Sequence, residues 1–360
     1  MYNKMNKKDY IGFQKNPDLS FDCINCRAEF TPFASLDDNK FDIAVTKGVN
    51  YLTDFDLKVN PSTSNESIFN NIDFAVQNID LSSTEEDQDD DESEFHPISC
   101  KYYSVDEFIA LKANSNKYFS NFHLNIHSIE QHIEELRILL ELLNFSFDFI
   151  CISESKIEKN YEPKIDIGID GYECPISKPT EATKGGVLIY SKKGMTVILR
   201  TDLSDLVYKS KELESVFLEV IGESKSLVWV IYWHPCMNEK TFNEDYLKPL
   251  NERLSSENKH CYLSGDFNFD LLNLSSHEET SNFFEIMMTN LLMPCITLPT
   301  KINPGRSSVI DNIFTNNIHP DILSGNFTIN LSDGHLPSFM LIPKKIKTTY
   351  QKSIINIKEI

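Results

Sequence analysis

From residue 118 onward, short apolar runs that stop abruptly at a polar residue alternate with longer stretches whose apolar positions recur every three or four residues. Tyr118 to Ile126 predicts a strand with Asn125 near its end. Ile129 to Asn144 follows with Ile133, Leu136, Leu140 and Leu143 at helical spacing, and Phe147 to Ile152 predicts a buried strand ending at Ser153-Glu154. A helix of this length between two apolar strands predicts an α/β layered fold. Tyr103 to Ala113 adds a short helix in front.

Beyond a loop holding Gly168, Gly171 and Pro175, Lys184-Gly185-Gly186-Val187 opens a β-rich stretch. Ser215–Ile221 and Leu227–Tyr232 predict a hairpin around Gly222 to Ser226, and the second strand delivers Tyr232-Trp233-His234-Pro235 beyond its apolar run. Asp245 to Leu254 and Ser281 to Leu292 read as amphipathic helices. Ser308–Phe314, Phe327–Leu331 and Leu336–Ile342 read as closing strands. Between the two helices the run Cys261 to Ser264 stops at Gly265 and exposes Asp266 and Asn268. Gly265 suits a tight exit from the strand, and residues two apart on extended chain share a side. A carboxylate beside a carboxamide can hold a water against a phosphate and accept its proton.

Residues 1 to about 95 lack this periodicity and end in an acidic run, Glu85 to Glu94, that repels itself and reads as a solvated linker. Limited proteolysis is expected to remove this region, leaving a fragment that starts near Cys100. Cys23-Ile24-Asn25-Cys26 has the spacing of half a zinc site, but a structural zinc needs four ligands and no second pair follows within reach. The chain thus divides into a low-order region 1–99, a lead-in helix in 100–117, a domain over 118–343, and a tail 344–360 with five lysines against one acid.

With 41% hydrophobic residues in 360, the domain can bury a real core. No apolar run approaches the ~20 residues of a membrane span, and Met1 to Asn16 has no signal-peptide core, so the reading is an intracellular protein of the nucleus or cytoplasm, with no membrane partner. Cys151, Cys261 and Cys295 sit inside strand-like runs, as buried reduced thiols do. The net charge of -20 argues against a nucleic-acid partner, yet residues 1–99 carry -12 of it and 100–360 only -8. A nuclease that holds a metal must gather carboxylates, so the remaining acidity is compatible with DNA, although no basic stripe speaks for it.

The polar interruptions are Asn125, Glu154, Tyr232, Asp266 with Asn268, Asp311, and Asp333 with His335. Each alone suits a turn, a cap or a solvated face. Their order, within Leu-Asn-Ile-His-Ser-Ile at 124–129, Asp-Phe-Ile-Cys-Ile-Ser-Glu-Ser at 148–155, Lys-Gly-Gly-Val at 184–187, Ile-Tyr-Trp-His-Pro at 231–235, Gly-Asp-Phe-Asn at 265–268, Ile-Asp-Asn-Ile-Phe-Thr-Asn at 310–316 and Ser-Asp-Gly-His-Leu-Pro at 332–337, resembles the endonuclease/exonuclease/phosphatase superfamily. The resemblance is strongest to the apurinic-type endonuclease domain of non-LTR, LINE-like retrotransposons, and it covers about 118–343.

The resemblance implies a four-layer sandwich of two mixed β-sheets flanked by helices, with the site at a rim where strand ends meet. It implies a DNA-nicking phosphodiesterase using Mg²⁺, with Mn²⁺ as the alternative ion, held by Glu154 with Asn125 and Asp333. Asp266, oriented by Asn268, would activate water, while His335, held by Asp311, and Tyr232 would contact the phosphate. Glu154 and Asp266 are expected at a solvent-facing rim. The family's multidomain members continue into a reverse transcriptase, and no Tyr-x-Asp-Asp-like motif occurs here; the Cys23/Cys26 pair resembles the end of a PHD-type zinc finger. Gly334 separates Asp333 from His335, which the family keeps adjacent. One inserted residue reverses side-chain direction along a strand, so the expectation is a His335 turned away from Asp311 and weak or absent nicking. The competing readings are a folded remnant that only binds, and a phosphatase of the same superfamily.

Overall fold

Along Phe149–Ser153 successive side chains serve different cores: Phe149 and Cys151 point into one buried cluster, Ile150 and Ile152 into another. This period of two is what a strand buried on both faces requires. In the computed structural model the described residues are 21–22, 29–30, 98 and 100–344, without 160–163, 183, 223–224 and 304–305. The Cys23/Cys26 pair, the acidic run, all of 1–95 except 21–22 and 29–30, for which disorder was expected, and the tail beyond Lys344 lie outside the described residues. Phe21–Asp22 and Glu29–Phe30 pair as two short antiparallel strands.

From Cys100 the chain lays down β1 (Cys100–Tyr103), α1 (Val105–Ala110), β2 (Tyr118–Asn125), α2 (Ile129–Leu143), β3 (Phe149–Ser153), β4 (Ile176–Lys178) and β5 (Val187–Ser191). It then crosses to β6 (Thr196–Leu199), α3 (Thr201–Leu206), β7 (Leu213–Ile221), β8 (Ser226–Trp233), α4 (Lys248–Glu257), β9 (His260–Asp266), α5 (Glu278–Met288), β10 (Met293–Pro294) and β11 (Asp311–Thr315). It returns in β12 (Leu323–Phe327) and β13 (Ser338–Pro343). The seven-stranded sheet runs β1-β12-β13-β2-β3-β5-β4 and the six-stranded sheet β10-β11-β9-β8-β7-β6. Both are mixed, and the fold is α/β with helices on the outer faces.

Each layer follows from its side-chain pattern. Ile133, Leu136, Leu139 and Leu143 turn one face of α2 onto the seven-stranded sheet, and Asn144 ends the helix in the left-handed region at φ 46. On the six-stranded sheet Trp229 and Trp233 point outward, stacking with Phe217 and with Phe242 and Phe269 respectively. The alternate residues point inward, where Ser264 accepts from the Asn121 carboxamide at 2.9 Å across the gap. Gly265 lies within the strand, and a Cβ there would sit 2.5 Å from the Ile231 carbonyl oxygen. Its service is close approach of β8 to β9, and the tight exit expected of it is made by later residues.

Two parallel pairings bring polar residues level with one another: β2 beside β3, with Asn125 opposite Ser153, and β8 beside β9, with Tyr232 opposite Asp266. Antiparallel β11 sets Asp311 opposite Asp266. Five strand ends therefore meet at one edge of the sandwich.

Three expected elements differ. The closing strand expected over Phe327–Leu331 is found at Leu323–Phe327; Phe327, Ile329 and Leu331 are buried as their alternation suggests, but the ladder with β13 runs through Leu323 to Asn326. The single strand expected over Ser308–Phe314 is two, because Arg306–Ser308 turns back on Lys301–Asn303 before β11 begins. The helix expected from Ser281 starts at Glu278, where His277 Nδ1 accepts from the Thr280 amide at 3.3 Å and caps it. Cys151, Cys261 and Cys295 are buried and unpaired. No helix among the described residues is long and apolar enough to cross a membrane.

Candidate active site

Asn125 ties the two sheets together at this edge. Its Nδ2 donates to Glu154 Oε1 at 3.1 Å and to Asp266 Oδ2 at 2.9 Å. Its Oδ1 is turned back to the His127 amide at 3.2 Å. The orientation is forced by chemistry, since two carboxylates can only accept. Asn125 therefore meets Glu154 as a donor, not as the oxygen ligand expected for a cation.

Glu154 follows β3 directly, at φ 50. The peptides after it are held by the glycine loop: Ser155 N donates to Gly186 O at 2.9 Å and Lys156 N to Gly185 O at 2.8 Å. Burial works against its charge, but hydrogen bonds from Asn125 and Tyr232, with His127 nearby, hold its carboxyl below the ordinary glutamate value. Its Oε2 is buried without a hydrogen-bond donor, and His127 Nδ1 lies 3.3 Å away. An ionised carboxylate with one oxygen left open, next to a second acid, is a donor set that fits a hard divalent cation.

Asp266 and Asp311 sit side by side on paired strands, and His335 closes the group: its Nδ1 is 2.8 Å from Asp311 Oδ2. One ligand atom from each of Asp266, Asp311 and His335 fall within 4.8 Å of one another. The three residues are 2%, 1% and 2% exposed, which corrects the expected solvent-facing rim for Asp266; Glu154, at 7%, is also buried. Burial, then the Asp311 charge, pushes the Asp266 carboxyl up to about 7. Burial opposes a charged His335, but the Asp311 carboxylate and then Asp266 more than offset it and hold its pKa above the usual histidine value. Asp311 stays below the usual carboxylate value, because the His335 charge and hydrogen bond outweigh the burial that opposes ionisation. The two neighbouring acids are thus driven apart, one toward a proton acceptor near neutrality and one toward a fixed anion.

Asn268 has left the strand, at φ 53. Its backbone N–H donates to Asp266 Oδ1 at 3.1 Å, while its carboxamide donates to the Trp233 carbonyl at 2.7 Å. It orients Asp266 through the main chain, not by sharing a side of an extended segment. Tyr232 is 2% exposed, and burial followed by the charges of Glu154 and Asp266 drives its hydroxyl far above the ordinary tyrosine value, so it stays a hydrogen-bond donor. Asp333 is exposed and outside this buried group; its charge is felt by Lys156.

The expectation that Gly334 turns His335 away is overturned. Gly334 adopts φ 77, where a Cβ would lie 2.7 Å from the Ile302 carbonyl oxygen, and its own carbonyl accepts from Ile302 N at 2.9 Å. Leu336 N then donates to Thr300 O at 2.7 Å, and Lys301 bridges to His335. The extra residue is absorbed as a left-handed kink, so His335 regains the side facing Asp311. Thr300 also accepts from the Asp311 amide at 3.1 Å through its hydroxyl, which ties acid and histidine to the same segment.

Sequence reasoning passed over His127, Thr300 and His123. His127 lies inside the Leu-Asn-Ile-His-Ser-Ile motif, but its approach to Glu154 depends on a turn at φ 54 that no periodicity announces. His123 is fully buried below the site with its Nε2 3.1 Å from Ser153 Oγ, and burial pulls its pKa down to about 4.

Residues 116–333 match the family model described as Endonuclease/Exonuclease/phosphatase family. Among solved structures, the chain is similar to the AP endonuclease LMAP from Leishmania major at 14% identity, covering 65% of this chain and 90% of that one with a TM-score of 0.48. An AP endonuclease from Archaeoglobus fulgidus is similar at 15% identity, 62% and 98% coverage and a TM-score of 0.44. A mannosyl-6-phosphatase from Bacteroides thetaiotaomicron is similar at 13% identity, 62% and 99% coverage and a TM-score of 0.42. Among curated proteins none matches.

Proposed function

This chain belongs to the Endonuclease/Exonuclease/phosphatase family, and from that membership we propose that it is a divalent-metal-dependent endonuclease that nicks DNA, of the kind found in LINE-like retrotransposons. The observation that carries the reading is the separation of roles among buried acids: Asp266 is pushed up to about 7 while Glu154, bonded to the same Asn125 carboxamide, stays ionised. The seven motifs from 124 to 337 support the retrotransposon subtype, Ile-Asp-Asn-Ile-Phe-Thr-Asn above all.

In this reading Glu154, whose Oε2 has no hydrogen-bond partner, would hold the ion, Mg²⁺ or Mn²⁺. When bound, the ion supplies positive charge to a phosphate oxygen and to the departing 3′ oxygen. Asp266 accepts the proton of the attacking water, and the Asn268 backbone amide and the Asn125 carboxamide keep its two oxygens aimed. The phosphate gains negative charge as the water adds, and His335, whose protonated form the Asp311 carboxylate favours against burial, donates to it. Tyr232 donates its hydroxyl at the same edge. Asn125 spaces Glu154 from Asp266, so that the ion's carboxylate and the base remain separate groups.

The test is conversion of supercoiled plasmid to nicked circles with Mg²⁺, with Mn²⁺ and with a chelator, beside release of inorganic phosphate from sugar and inositol phosphates. Nicking that needs the ion, with no phosphate release, is the expected result. Phosphate release without nicking would replace the reading with a phosphatase, and inactivity on both with purified folded protein would leave a binding remnant.

A further inference from the structure

Next to Glu154 lies a second buried acid and base that the proposed chemistry does not use. Glu214 is 1% exposed and His234 5%. His234 Nε2 is 3.0 Å from Glu214 Oε2. Thr180 Oγ1 is 2.9 Å from Glu214 Oε1 and 2.7 Å from the Lys184 carbonyl oxygen. Burying an ionisable pair is costly unless it is paired and hydrogen-bonded, and this one is placed where it touches both structures that hold Glu154.

The first is the glycine loop. Gly185 sits at φ 100, and a Cβ there would be 2.6 Å from His234 Nε2 and 2.8 Å from Glu214 Oε2. The pair thus packs flush against the Gly185 backbone, the same peptide whose carbonyl receives Lys156 N. Gly186, at φ 79, takes Ser155 N in the same way, and a Cβ on it would be 2.6 Å from Ser155 Oγ. The second is Tyr232. Glu214 is its direct partner across the β7–β8 ladder, and the His234 ring packs edge-on against the Tyr232 ring with centroids 4.8 Å apart. Tyr232 and Glu154 shift one another's pKa, which places the Tyr232 hydroxyl beside the Glu154 carboxyl.

We propose that Glu214 and His234 form a positioning strut that fixes the glycine loop and the Tyr232 ring, and through them sets where the Glu154 carboxylate presents its open oxygen. The proposal deepens the metal-dependent reading and rests on it. A pair that merely stabilised the core could be replaced by an apolar pair of similar volume with little effect on the site. A strut cannot, because the Gly185 backbone loses the polar surface it packs on.

The test uses Glu214→Leu/His234→Leu as a double variant, since either change alone strands a buried partner, together with His234→Gln, which keeps a nitrogen donor near the Nε2 position. Mn²⁺ alone is titrated by its spin-resonance signal. The metal-free proteins are compared through the amide resonances of Gly185, Gly186, Ser155 and Lys156. The double variant is expected to melt close to wild type, to bind Mn²⁺ about tenfold more weakly, to lose about tenfold in kcat with KM for DNA unchanged, and to shift those four amides. His234→Gln is expected to restore most of each. Unmoved amides with unchanged Mn²⁺ affinity in the double variant would overturn the strut, as would a His234→Gln protein no better than the double. Should wild type neither bind Mn²⁺ nor nick, the functional reading fails, and the amide shifts alone decide the strut.

Discussion

Asp266 carries the sharpest consequence of a single side chain. Its folded pKa, about 7, lies above the 3.8 of an ordinary aspartate, so the native state holds a proton that the unfolded chain has already released. Its contribution to stability is therefore fully present below pH 4 and lost as pH rises through about 7. Asp266→Asn is expected to raise Tm at pH 8, by about 2–4 °C per kcal/mol recovered, and to bring no gain at pH 4. Thermal melts at the two pH values check this, and an equal shift at both would show that the ionised carboxylate carries no strain. Activity runs the other way. Nicking by the native protein should rise with pH through about 7 as Asp266 ionises, and Asp266→Asn should lose ~10²–10⁴ in rate. A stabilised but inactive variant follows from Asp266 lying buried rather than at the solvent-facing rim expected for it.

The kink at Gly334 belongs to a small ladder in which Thr300 to Ile302 pair with Gly334 to Leu336. Deleting Gly334 would move His335 one place along that ladder and turn its ring from Asp311, so the expected result is a loss of ~10²–10³ in nicking rate, the cost of one preorganised donor. Gly334→Ala, strained at φ 77 and crowded by Ile302 O, should fall between. Rates of the three proteins under one Mg²⁺ concentration check the order, and a deletion variant faster than the native protein would reverse it. The same ladder shows what sequence can carry. Strands such as Phe149–Ser153 were legible as near-continuous apolar runs, the pattern that burial on both faces leaves. So were the polar residues that end them. Asn125, Glu154, Tyr232, Asp266, Asp311 and His335 were all readable, and they do meet. What periodicity could not supply were the left-handed residues: His127, Glu154, Asn268 and Gly334 each reset the side-chain direction at the site. For that reason Asn268 works through its amide and His335 faces inward, against the simple count.

The site is divided between the layers. Asn125 and Glu154 come from the seven-stranded sheet, and Tyr232, Asp266 and Asp311 from the six-stranded one, so neither sheet alone holds both an ion-binding carboxylate and a base. The chain first passes between them at Lys192 to Met195, where Gly194 takes φ 88 with nothing within 4 Å of a Cβ, an open turn that can tolerate interruption. Opened between Lys193 and Gly194, the protein becomes a two-key lock. The piece ending at Lys193 would keep Glu154, and the piece starting at Gly194 would keep Asp266 together with β12 and β13, which must slot between β1 and β2 to complete the first sheet. Neither piece should nick plasmid, and the mixture should regain activity only as fast as those two strands are taken up, so that the lag before steady nicking times the marriage of the halves.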